Sequence, residues 1–170
     1  MEEFAVSPPN ALLYLLAGIV GIGLLSLLVK RGERRKKLSA VAILVVISVV
    51  LGVWLYRPIT ITVDEQGIST SGRLAFEFAW EEVDSALFEP NLPTSEWRPT
   101  VRRLGAAIGS YRTGRFLLSN GESAQVVMER EDATVIVRAN ESTYLLAPGD
   151  VEELAEAIDQ YRTIGGSPND

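Results

Sequence analysis

The chain contains no cysteine and no histidine. Without cysteine there is no disulfide to support a fold, so stability must come from a core, even in an oxidising space. The two absences together remove the common zinc sites, thiol nucleophiles and Ser–His–Asp catalysis. Lysine is almost as scarce, with Lys30, Lys36 and Lys37 making up the full set. The part after residue 37 therefore has no lysine for a Ser–Lys dyad. Carboxylate pairs exist, but Glu81-Glu82 and Glu152-Glu153 are adjacent in sequence. Adjacent side chains diverge on strands and helices alike, and such pairs usually face solvent. No catalytic, metal or cofactor constellation emerges, and the expectation is that the chain is not an enzyme.

What is present begins with two uncharged runs of 19 residues, 11–29 and 38–56. At ~1.5 Å per residue, a helix of that length reaches roughly the ~30 Å of a bilayer's hydrocarbon core. The expectation is a two-helix transmembrane hairpin over 11–56, with the lipid bilayer as its first partner. The connecting loop 30–37 holds Lys30, Arg31, Arg34, Arg35, Lys36 and Lys37 against Glu33, a net charge of +5. Short loops rich in Lys and Arg stay in the cytoplasm. A multi-pass protein of the cell membrane follows, with residues 1–10 as an extracytoplasmic tail and the C-terminal domain on that same side. Small residues recur at four-residue spacing, Ala17 with Gly21 and Ser48 with Gly52. Such faces let helices approach closely, whether within the hairpin, with another copy in a homo-oligomer, or with a partner. Neither run carries an ionisable side chain that would mark an ion pathway.

Residues 57–164 read as one mainly-β domain. From residue 58 onward nine Arg oppose 19 Asp and Glu, a net charge of −10, which argues against nucleic acid as a partner. Residues 59–63 alternate β-branched and polar side chains, as a half-buried strand does. Further strands are predicted over 68–71, 74–80, 83–88, 115–119, 122–129, 133–139 and 142–147, with Asn120-Gly121 as a type I′ hairpin turn. From Asp150 the period changes. Val151, Leu154, Ala155, Ile158 and Tyr161 recur at helical spacing, giving one apolar face. About seven antiparallel strands and a C-terminal α-helix predict a curved sheet or small barrel plugged by that helix. Residues 165–170 are expected to be a disordered tail.

Between residues 90 and 114, prolines and then glycines suggest a long irregular loop, a feature that is usually functional or mobile. Five arginines (Arg98, Arg102, Arg103, Arg112 and Arg115) fall between Trp97 and Gly121, where there is no Asp or Glu. Arginine offers planar, bidentate contacts to phosphate or carboxylate. The segment therefore either binds an anion, such as a lipid headgroup or an acidic protein segment, or pairs with the domain's own surplus carboxylates.

Arg103-Leu104-Gly105, Gly109, Tyr111 to Phe116, Asn120-Gly121-Glu122, Thr134 to Val137 and Tyr144 to Asp150 form a pattern that resembles the bacterial pleckstrin-homology-like domain family. The resemblance covers about 58–162, and 103–150 is its specific part. It implies a PH-like barrel of two near-orthogonal antiparallel sheets with a capping helix, in a family whose members commonly carry membrane spans. It does not imply phosphoinositide binding, because the first hairpin, through Asp64 and Glu65, is acidic here. The function expected is a non-enzymatic, membrane-anchored PH-like module that contacts proteins or a membrane surface. The alternative is an accessory or regulatory subunit of a membrane enzyme or transporter, assembled through the spans.

Overall fold

The computed structural model describes residues 1–10, 14, 17–21, 43, 46–48, 50, 58–72 and 75–165. They fall into two compact units, one of Met1–Ser7 with Pro58–Asp170 and one of Pro8–Arg57. In the second unit Tyr14, residues 17–21, Ile43, residues 46–48 and Val50 are helical. No helix among the described residues is long and apolar enough to cross a membrane. This overturns the transmembrane hairpin over 11–56, and with it the multi-pass membrane placement and the extracytoplasmic domain. A span needs an unbroken apolar helix of about 20 residues, and none occurs among the described residues. The rest of both apolar runs and the whole of loop 30–37 lie outside the described residues.

The first unit is mainly β. Four strands, β1 (Glu2–Val6), β2 (Ile59–Val63), β3 (Gly67–Thr70) and β4 (Glu77–Ala79), form one sheet in that order. Six more form the second: β5 (Val83–Glu89), β6 (Pro99–Ile108), β7 (Tyr111–Leu118), β8 (Ser123–Met128), β9 (Thr134–Ala139) and β10 (Ser142–Ala147). Their spatial order is β5-β9-β10-β8-β7-β6. These ten strands exceed the expected count of about seven; the segments read as strands correspond to β2–β5 and β7–β10, and β1 and β6 are additional. The all-antiparallel expectation also fails at one place. β10 inserts between β9 and β8 and runs parallel to β8, with Thr143 opposite Ala124 and Ala147 opposite Met128.

One helix, α1 (Val151–Gly165), closes the unit. Its buried Val151, Leu154, Ala157 and Ile158 join a single core with residues of both sheets, and it contacts β2, β3, β5 and β9. The apolar face predicted from spacing thus packs inward. Strands β9 and β10 lie among the four interior strands of the second sheet. Val135, Ile136 and Val137 are buried in succession, as on a strand covered on both faces.

Strand β1 is joined to the sheet across about fifty residues of sequence. Glu2 pairs with Val63 and Val6 with Ile59, while Phe4 and Val6 are buried in the core. The Met1 amino group donates to the Tyr161 hydroxyl at 2.7 Å, and Ser7 N–H donates to Glu129 Oε2 at 2.8 Å. The turns also differ from expectation. Positive φ at both central residues, which a type I′ turn needs, occurs at Asn140 (51°) and Glu141 (59°), between β9 and β10. At Asn120-Gly121 only Gly121 has positive φ. There Leu118 N–H donates to Glu122 O and Gly121 N–H to Leu118 O, as in a three-residue turn with a glycine bulge.

Candidate functional site

The stretch 90–114 is not an irregular loop. A single 3-10 turn (Leu92–Thr94) leads into β6, which pairs with β7 to form the far edge of the six-stranded sheet. Gly109, at φ 60°, occupies the first centre of the two-residue turn joining them, the position where a type II′ turn requires positive φ. Within the hairpin Gly105 faces Gly114, at φ 114° and 119°. A Cβ on Gly105 would collide with the Thr113 carbonyl oxygen, and one on Gly114 with that of Leu104. This glycine pair lets the two backbones pass closely.

The hairpin sorts the five arginines into two groups. Arg102 lies opposite Phe116, Arg115 lies opposite Leu104, and Arg103 falls in the bulge between Arg102 and Leu104. All three are exposed, and among the described residues none has an ion-pair partner. Arg98 and Arg112 instead line a cleft of about 480 Å³ with Leu92, Pro93, Pro99, Thr100, Met128 and Glu131. Arg112 Nη2 donates to Glu131 Oε1 at 2.6 Å and Nη1 donates to Pro99 O at 3.1 Å. Its buried Nε has no partner among the described residues. Arg98 Nη1 reaches Pro93 O at 3.4 Å, a long bond. Internal pairing with a carboxylate therefore holds for Arg112 and not for Arg102, Arg103 or Arg115.

The exposed arginines share the hairpin with exposed aliphatic side chains. Val101, Leu104 and Ile108 are 52%, 73% and 36% exposed. Sequence reasoning missed them because it placed them in a loop. The signal was there in Thr100 to Ile108, where apolar residues flank an arginine pair without the polar alternation of a strand with one covered face. The other described arginines of the domain, Arg130, Arg138 and Arg162, make contacts within the fold. Arg138 pairs with Glu122 at 3.0 Å and lies 4.9 Å from the centre of the Trp97 ring. Arg130 donates to both oxygens of Asp132, to Gly149 O at 2.9 Å and to Glu152 at 3.0 Å, tying the β8–β9 turn to the start of α1. The Arg130 hydrogen bond lowers the Asp132 carboxyl to about 2 and raises the guanidinium's own pKa.

The remaining candidates fall as follows. Glu82 accepts from Ala79 N–H at 2.9 Å and from Asn140 Nδ2 at 3.3 Å, which is a local structural use. In the acidic first hairpin, Asp64 Oδ1 accepts from Gln66 and Gly67 N–H and so shapes the turn. No group of three acidic residues suited to a metal occurs among the described residues. Ala17 and Gly21 are exposed helical positions and Ser48 is a buried one. Gly52, Lys30, Arg31, Arg34, Arg35, Lys36 and Lys37 lie outside the described residues.

Residues 92–162 match the family described as Bacterial PH domain. The match supports a bacterial PH-like domain in this chain, and it runs from the turn before β6 into α1, so it contains the whole arginine hairpin. Comparison with curated proteins and with solved structures returned no match.

Proposed function

We propose that the chain is a non-enzymatic interaction module whose β6–β7 hairpin binds an acidic protein surface. The observation that carries this reading is the combination of exposed, unpaired Arg102, Arg103 and Arg115 with exposed Val101, Leu104 and Ile108 on one hairpin. Arginine beside apolar contact area is the composition of interface centres, where planar charge gives specificity and buried hydrocarbon gives affinity. Two features of the PH-like domain support a binding role over catalysis: the match at 92–162 and the absence of His and Cys from the chain.

The experiment is a photo-activated cross-linking residue placed at Leu104 of the full chain, with adducts identified by mass spectrometry. The reading expects protein adducts on acidic segments, lost when Arg102→Glu and Arg103→Glu are added. Adducts confined to lipid, or protein adducts indifferent to the two reversals, would remove it.

A further inference from the structure

Arg112 is a charge set among apolar side chains. On β7 it lies opposite Met128, while Gly114 and Phe116 lie opposite Val126 and Ala124. Alternation along the strand therefore places Arg112 on the sheet face that carries Phe116, Val126 and Met128, and all three of those are buried. A guanidinium on such a face is tolerated when its donors are met, and each donor left unmet is costly. Nη1 donates to Pro99 O at 3.1 Å and Nη2 to Glu131 Oε1 at 2.6 Å. Nε has no acceptor, and among the described residues it is the one buried side-chain polar atom without a partner.

Nε–H and Nη2 point to the same side of a guanidinium and form an edge that a carboxylate can grip with both oxygens. Glu131 uses half of that edge, reaching Nη2 with one oxygen and leaving Nε unmet. Its side chain and that of Arg112 are 45% and 25% exposed, so exchanging Glu131 for another carboxylate costs little. The same cleft of about 480 Å³ offers a second guanidinium, Arg98. Arg98 makes one long side-chain bond, to Pro93 O at 3.4 Å, and pairs with no acid among the described residues.

We propose that this cleft binds a small dicarboxylate. One carboxylate takes the place of Glu131 on the Nε–Nη2 edge of Arg112, and the other pairs with Arg98. The two guanidiniums are tethered to different carbonyls, those of Pro99 and Pro93, which suits two separate carboxylates joined by a short chain better than one compact anion. With Glu131 displaced, two positive charges of the cleft meet two negative charges of the ligand. Glu131 is then an internal competitor, a carboxylate of the chain that holds Arg112 until the ligand replaces it. The site goes beyond the hairpin surface and does not depend on it, because neither arginine belongs to the exposed, unpaired group of Arg102, Arg103 and Arg115.

The test is a titration of the full-length, nitrogen-15-labelled chain with succinate and with glutarate at constant ionic strength, acetate and inorganic phosphate serving as comparison anions. The Arg112 Nε–H resonance, assigned by its loss in Arg112→Lys, should move as the donor gains an acceptor. At least one dicarboxylate should bind several-fold more tightly than acetate or phosphate. Arg98→Gln should weaken that binding about ten-fold, the worth of one hydrogen bond to a charged group. Glu131→Gln should tighten it several-fold, because the competing carboxylate is gone. Both positions are exposed, and a folding defect does not produce tightening. Were Glu131 only a support for Arg112, its replacement would leave binding unchanged or weaken it, and that result overturns the proposal. An Nε–H resonance that stays in place does the same, as does acetate or phosphate binding as tightly as the dicarboxylates, the mark of an adventitious ion only.

Discussion

Two arginine-bearing regions of this molecule use the same side chain in opposite ways. At the β8–β9 turn, Arg130 has its donors taken by Asp132, Glu152 and the Gly149 carbonyl, and it fastens the turn to the helix. On the β6–β7 hairpin, Arg102, Arg103 and Arg115 project from an edge with no ion-pair partner among the described residues. An arginine whose hydrogen bonds close within the domain contributes to the fold. One left open beside exposed Leu104 contributes a surface. Arg112, paired with Glu131 and buried at Nε, belongs with Arg130 although it lies in the hairpin.

The strongest way to break the comparison is to remove the hairpin itself. Gly114→Ala forces a Cβ into the Leu104 carbonyl at φ 119°. It should cost about 3 kcal/mol, from a left-handed backbone together with a main-chain clash, and urea unfolding would read the loss. Phe4→Ala acts on the opposite sheet, where β1 is held by a buried ring. It should cost a comparable ~3 kcal/mol, yet leave capture at Leu104 intact in chains that remain folded. Arg130→Ala should cost about 1 kcal/mol, the scale of partly exposed ion pairs. Arg102→Ala and Arg103→Ala should change stability by less than ~0.5 kcal/mol, as surface substitutions do.

A further effect is one of pH. The Arg130 hydrogen bond holds Asp132 at about 2, below the ~3.9 of an unfolded aspartate. A depressed folded value adds stability that is complete above pH ~4 and is lost as the pH falls through about 2. Asp132 is 64% exposed at its side chain, so screening keeps the contribution under ~1 kcal/mol. Asp132→Asn should flatten the acid limb of unfolding midpoint against pH over that window.

How legible these regions were follows from their physics. β2 and α1 showed in the sequence because each has one covered face, and covering imposes a period on the residues. β6 has no such period. Both its faces are open, and two register shifts interrupt it near Pro99 and Arg102. β1 is five residues long and pairs with a strand some fifty positions away, so no local pattern announces it. The arginine cluster was readable as charge segregation. Which members are spent on Glu131 or on backbone carbonyls, and which aliphatic side chains accompany the rest, depends on cross-strand pairing that composition does not contain. The apolar runs 11–29 and 38–56 show the reverse case, where a strong hydropathy signal led to a membrane hairpin that no described helix is long and apolar enough to form.

The most direct test measures stability and capture on one chain carrying Arg102→Glu, Arg103→Glu and Arg115→Glu. If the hairpin arginines form a surface and not a support, the urea midpoint stays within error of the parent while photo-capture at Leu104 is lost. A midpoint that falls together with capture, or capture that survives all three reversals, would contradict that claim.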